Sequence, residues 1–257
     1  MIKFVEFPAV LALLSAVVMS GSVWIGLLLR QRFPPDPDST DYRSLYVGST
    51  IGLLSLLIGF TLSMSVARYD LRKTYEAEEA NAIGTEYSRI DLLNANDQKD
   101  LRELMAKYLD ARIQYYRLGQ SDDLERLAAK TTDLQNALWA RVARPGATHP
   151  NAITSLVVSG MNEVLDDQGY TESAWRNRLP RETWVLMLVI ALVSCVLLGI
   201  TAPKSISRVS VLSIMPGVIA ISFFLIADID SPRSGILRID PQNLIDLVPI
   251  FNPPHGH

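Results

Sequence analysis

The sequence predicts an all-α membrane protein in which two N-terminal and two C-terminal transmembrane helices flank an inserted helical bundle. Three observations lead there: charge is unevenly distributed, the uncharged runs are long, and the stretch between them shows helical rather than strand-like periodicity. Of 257 residues, 49% are hydrophobic and 20% charged, and the mean hydropathy is +0.19. A soluble globule is less apolar and a chain wholly in lipid is less charged, so the two characters must be segregated. They are: 35 of the 51 charged residues lie between Arg68 and Glu182.

A bilayer core takes about 20 mostly apolar residues as a helix rising roughly 1.5 Å per residue. The first such run covers about 9–29 and is stopped by Arg30 and Arg32. Lys3 ahead of it and the small residues near its end give it some likeness to a secretory signal, but its length and arginine stop argue against cleavage. The second covers about 45–67 and ends at Arg68; the third, about 183–200, and the fourth, about 209–227, are joined by a short loop carrying Lys204. Pro216 inside the fourth run is expected to kink it. Trp24, Tyr46 and Trp184 fall near run ends, where amphipathic rings favour the membrane interface. The chain thus divides into a first membrane pair (1–67), a helical domain (68–181), a second pair (182–228) and a tail (229–257).

Four crossings put the amino terminus, the middle domain and the tail on one side. That side carries Lys3, Arg68, Arg72, Lys73, Arg176, Arg178, Arg181, Arg233 and Arg238 near the crossings, against Arg30, Arg32, Arg43, Lys204 and Arg208 on the other. Positive charge favours the cytoplasm, so those three parts are expected there, in a protein of the cell's inner membrane.

In the middle domain, Pro/Gly punctuation divides the helical period into about four helices. Leu101, Leu104, Tyr108 and Tyr115 form one apolar stripe; Leu124, Leu127, Leu134, Leu138 and Val142 a second; Ile153, Leu156, Val157, Met161, Val164 and Leu165 a third. Residues 118–122 and 144–150 read as turns, with Ser121, Asp122 and Asp123 suited to a helix start. Such stripes are packing surfaces, for a bundle or a subunit interface.

Function classes fall away in turn. A net charge of −3 does not suit a nucleic-acid binder. The single cysteine, Cys195, sits in an apolar run and offers no disulfide or paired-thiol chemistry. His149, His255 and His257 lack metal-site spacing, so no metal or cofactor is expected. No phosphate-binding, dinucleotide-binding, nucleophile-elbow or calcium-loop motif is present, and no catalytic residues are assigned. Glu76, Glu78, Glu79 and Glu86 with Arg72, Lys73 and Arg89 read as a solvated helix face, Arg72 and Glu76 being four apart and so able to pair, for about a few tenths of a kcal/mol. No inverted repeat or charge at a run midpoint suggests a carrier.

The second run has small residues at helical spacing, Gly48, Gly52, Ser55, Gly59 and Ser63, all on one face. Two readings fit. Small residues let helices approach closely in lipid, which is packing. In an oligomer around an axis, the same face would present hydroxyls and backbone to a narrow water path, which is a pore lining.

The continuation of this run, Gly59 to Arg72 followed by Glu78 to Tyr87 and containing Arg68, Tyr69, Arg72 and Asn81, resembles the bacterial bestrophin-like domain family of unknown function, more distantly similar to bestrophin anion channels. Asp228-Ile229-Asp230-Ser231-Pro232-Arg233-Ser234-Gly235 resembles the acidic turn after the fourth span in bestrophins, and Pro180 before the third run fits the same pattern. The resemblance implies a bestrophin-like fold in a lipid bilayer: a homo-oligomer, a pentamer, whose second span lines an axial pore for small inorganic anions. Two departures stand out. Bestrophins narrow the pore with bulky apolar side chains where this face carries Gly and Ser, and animal bestrophins bind calcium through a longer acidic cluster, where only Asp228, Asp230 and Asp240 stand here. Calcium takes about six to eight oxygens, so no calcium site is expected, and Asp228 and Asp230 also read as a polar stop to the fourth run at the membrane interface. The reading from another class is a non-conducting membrane scaffold or sensor whose helical bundle binds a partner.

Overall fold

The computed structural model describes residues 8–32, 40–119, 123–148, 150–202 and 212–251. Every element among them is helical: α1 (Pro8–Arg32), α2 (Thr40–Arg89), a 3-10 turn (Ile90–Leu92), α3 (Ala95–Arg117), α4 (Asp123–Thr148), α5 (Ala152–Arg176), α6 (Arg181–Thr201), α7 (Ile214–Asp230), α8 (Gln242–Asp246) and α9 (Val248–Phe251). Lys3, Ser121, Asp122, Lys204, Arg208 and the three histidines lie outside the described residues. Internal contacts divide the chain into two compact units, Met1–Arg68 with Arg178–Leu237, and Tyr69–Asn177 with Arg238–His257.

Among the described residues, three helical stretches are long and apolar enough to cross a membrane: Pro8–Arg32, Tyr42–Leu92, and Ala152–Thr201, which takes α5 and α6 together. The 50 residues of α2 span about 75 Å, more than twice a hydrocarbon core of roughly 30 Å, so its apolar first half suffices for a crossing. Of the fourth expected run, 209–211 lie outside the described residues, and α7 has 17 residues. The helical trace is interrupted at the turn residue Ser213, three positions before Pro216, and residues 203–211 lie outside the described residues. Pro216 stands in the first turn of α7, where helix N–H groups lack intrahelical partners in any case, so its missing donor costs nothing.

In the first unit α1 packs against α6 and α7. Met19, Val23, Met187, Ala191, Cys195 and Phe223 make up much of its core. The closest approach is glycine on glycine: a β-carbon on Gly26 would come within 2.9 Å of the Gly199 Cα, and one on Gly199 within 2.9 Å of the Gly26 Cα. Close small-residue packing is therefore present, on α1 and α6. Buried hydroxyls are satisfied within their own helices, as with Ser15 on Ala12 O and Ser194 on Ile190 O.

The second unit is built on α2's charged half, with α3, α4 and α5. Its core holds Leu101, Met105, Tyr108, Leu127, Leu138, Val142, Val157, Met161 and Val164. Ile153 and Leu156, expected in the third stripe, face outward at 47% and 43% exposure, because the buried face of α5 follows Thr154, Val157, Met161 and Val164 instead. Residues 144–148 are not a turn: α4 runs through Pro145 and Gly146 to Thr148. The stop comes at Asn151, whose side chain caps Ile153 N and Thr154 N of α5 while Thr154 Oγ1 accepts from Asn151 N. The C-terminal segment closes on α2, with the Tyr87 and Phe251 rings stacked at 3.8 Å and Leu247 against Gly84.

The Gly26–Gly199 crossing gives a direct test. Gly26→Leu drives a side chain into backbone and is expected to destabilise the protein by about 3 kcal/mol, the upper part of the overpacking range. Gly21→Leu, whose β-carbon meets nothing within 4 Å, is expected to be near neutral. Thermal unfolding in detergent compares them.

Candidate functional site

One face of α2's apolar half is turned into its own unit at Leu54, Thr61 and Ser65, all buried. At about 100° per residue, Gly48, Gly52, Ser55, Gly59 and Ser63 lie well round the helix from that stripe. All five are exposed, and a β-carbon on any of the three glycines would meet nothing within 4 Å. Among the described residues, the glycines of this row make no close packing contact. Beside it stand Leu45, Leu53, Leu56, Phe60 and Met64, also exposed. The row's polar groups are backbone and hydroxyls; Ser55 Oγ donates back to Ile51 O at 2.9 Å and keeps its lone pairs outward.

The acidic turn after α7 is a second constellation. Asp228 and Asp230, at the end of α7, are each only 2% exposed and turn into their own unit. The Asp228 carboxylate accepts from Ile236 N at 2.7 Å and Leu237 N at 3.0 Å, folding the turn back on the helix end. Asp230 accepts from Leu179 N at 3.1 Å and faces Arg68 Nη1 at 3.9 Å. Pro232 is buried just past the helix end, where it cannot extend the ladder. Gly235 has no room for a side chain, since a β-carbon would lie 2.6 Å from Asp228 O. Asp228 and Asp230 thus form an acidic tie to backbone N–H groups, with Arg68 facing Asp230 and with Pro232 and Gly235 in the same turn.

The other motif residues lie in the second unit. Tyr69 packs on its core, and Asn81 is exposed. Arg72 is buried and donates from Nε to Ala174 O at 3.1 Å and from Nη2 to Asn177 O at 3.0 Å. It caps the carbonyl end of α5 with a cation, where the helix dipole favours one.

The charged half of α2 corrects the expected solvated face. Glu78 and Lys73 are exposed, but Arg72, Glu76, Glu79 and Glu86 are at most 1% exposed. With Ile83 they fall at 72, 76, 79, 83 and 86, the alternating four-three spacing of a buried stripe. Nor is Arg72 a surface partner of Glu76, whose carboxylate takes Asn243 Nδ2 at 2.5 Å and Leu244 N at 3.2 Å. Glu79 is the hub. Arg112 grips it with Nε and with Nη2 at 3.2 Å, and Tyr116 OH and Thr171 Oγ1 donate to it at 3.1 and 3.0 Å. Burial opposes the Arg112 charge, but the Glu79 carboxylate outweighs it and holds the guanidinium more firmly protonated than usual. Burial, and then Glu79, push the Tyr116 phenol upward, so it serves as a donor. Arg112, Tyr116 and Thr171 escaped the sequence reading; their only signal was polar side chains on otherwise apolar stripes.

The helical architecture, the apolar runs and the acidic tie define an integral membrane protein of all-helical fold. A family model, the Bestrophin-like domain, matches residues 12–244. The chain belongs to the bestrophin-like family. It shares its fold with solved structures: a tyrosine-to-alanine variant of a bacterial bestrophin homologue from Klebsiella pneumoniae (TM-score 0.61, 14% identity, covering 92% of this chain and 97% of that one). A serine-to-alanine variant of a membrane protein is similar at TM-score 0.65 and 11% identity, over 97% of this chain and 99% of that one. No curated protein matches the chain.

The buried hub is testable apart from function. Arg112→Met strands the Glu79 carboxylate and is expected to cost about 3–5 kcal/mol in denaturant unfolding, whereas the double variant Arg112→Met/Glu79→Leu recovers most of that loss.

Proposed function

We propose that the protein is a homo-oligomeric ion channel, five copies by its likeness to bestrophins, with the outward row of α2 lining an axial path for small inorganic anions. The observation that carries this reading is that Gly48, Gly52, Ser55, Gly59 and Ser63 are exposed and that a β-carbon on any of the three glycines would meet no neighbouring element among the described residues within 4 Å. A row of backbone and hydroxyls is costly against lipid unless another surface or water meets it. Around an axis, five such rows offer dipoles to an ion without burying a formal charge. Membership of the bestrophin-like family supports the same arrangement. In this reading α7 completes a fourth crossing, the protein lies in the inner membrane, and the amino terminus, the 68–181 domain and the tail are cytoplasmic, as the arginine and lysine bias favours.

The test is flux from proteoliposomes of the purified protein, comparing chloride, nitrate and potassium with empty vesicles. Chloride and nitrate are expected to pass and potassium to lag. Ser63→Phe and Gly59→Phe are expected to lower the flux at least tenfold with the oligomer intact on sizing. Unchanged flux removes those residues from the path, and no flux under any tested pH or voltage turns the reading to a scaffold or sensor.

A further inference from the structure

Glu86 differs from the other carboxylates on α2's buried stripe. Glu76 and Glu79 accept hydrogen bonds from named donors, but neither oxygen of the fully buried Glu86 has a hydrogen-bond partner. A buried, unbonded carboxylate is among the costlier groups a protein can hold if it is charged. Its surroundings are built for close approach: Gly160 of α5 lies so near that a β-carbon there would overlap Glu86 Oε2 and Arg89 Nη1.

The charged groups bearing on Glu86 are Arg89 on its own helix and Glu163 on α5. Arg89 Nη1 stands 3.7 Å from Glu86 Oε2 and 3.7 Å from Glu163 Oε2, outside hydrogen-bond reach of both and equally placed between them. Glu163 is 60% exposed at its side chain, so water can solvate it when Arg89 leaves. Other charges of the neighbouring elements turn elsewhere: Arg102 of α3 to Asp91 and the Tyr87 ring, Arg112 of α3 to Glu79, and Asp246 of α8 to Gln242.

We propose that Glu86 is a proton-binding site that sets the α2–α5 contact. With a proton it lies dry against Gly160 and Arg89 serves Glu163; on losing that proton to solvent it draws Arg89 away from Glu163 and admits water between the helices. Burial, only partly offset by Arg89, pushes the Glu86 carboxyl up to about 8, which supports a neutral group near neutral pH. The sign follows. A carboxyl raised in the folded state favours folding most at acid pH, and that contribution is lost as pH rises through about 8. The inference concerns the second unit alone and stands whether or not the protein conducts.

The experiment is thermal unfolding of the full chain in detergent micelles from about pH 5.5 to 9.5. The wild-type protein is expected to lose melting temperature in a broad step that spans the pH range from the ordinary carboxyl value of 4.5 up to about 8 and is complete there. Glu86→Gln, which keeps the shape and cannot ionise, is expected to abolish that step; Glu76 and Asp167, also raised by burial, remain in both proteins and cancel in the comparison. Glu163→Gln frees Arg89 and removes a like charge, so the step is expected to move to lower pH. A step that persists in Glu86→Gln overturns the proposal. If that variant fails to fold, a step unmoved or raised in Glu163→Gln overturns it equally.

Discussion

A helix that runs for 50 residues must keep one stripe satisfied throughout, and on α2 the terms of that satisfaction change along the way. In its first half the inward stripe is Leu54, Thr61 and Ser65, apolar or with a hydroxyl bonded to its own helix, as Thr61 is to Leu57 O. In its second half the inward stripe carries Arg72, Glu76, Glu79 and Glu86. Buried ionic groups are tolerable only when others come to meet them. Much of the second unit can be read as the set of groups that do: the carbonyls at the end of α5 for Arg72, the start of α8 for Glu76, and Arg112, Tyr116 and Thr171 for Glu79. One carboxylate thereby ties α2, α3 and α5 together, and another pins the C-terminal segment.

The same economy governs the acidic turn. Asp228 and Asp230 spend their oxygens on backbone N–H groups of residues 236, 237 and 179, donors that no helix ladder satisfies. The strict requirement at Gly235 follows from this folding back, because the chain must pass against Asp228 O without a side chain. A short acidic motif that invites a metal-binding interpretation is, in these atoms, a hydrogen-bond acceptor for its own chain.

Much of this architecture was legible in the sequence, for identifiable reasons. Hydropathy alone locates Pro8–Arg32 and Arg181–Thr201, since lipid permits few charges over a crossing. The stripe of Leu127, Leu138 and Val142 was equally plain. Charge misled in the middle domain because a run rich in Glu and Arg reads as solvated unless its spacing is weighed against the buried period, and Ile83 in register with Glu79 and Glu86 was the available signal. Proline misled at 145, where α4 runs on through it, because its cost depends on its place in the helix, which composition does not reveal. The row at Gly48, Gly52, Ser55, Gly59 and Ser63 kept two readings open for a different reason: among the described residues nothing packs closely on its glycines, whereas Gly26 and Gly199 find their partners in each other.

Two features of α2 are thus left incomplete by the chain itself, and they differ in kind. The outward row lacks a neighbour, a deficit that association or water can remove without altering any covalent or ionic state. Glu86 lacks donors inside a closed contact, a deficit that only a proton or a rearranged Arg89 can remove. Association energy cannot settle the second, and protonation cannot settle the first. A sequence selected only for a stable bundle would place an apolar residue at 86, as it does three residues earlier at Ile83. Retaining an unbonded carboxyl there, with an arginine held midway to a second carboxylate, makes the contact respond to proton activity at a cost in stability.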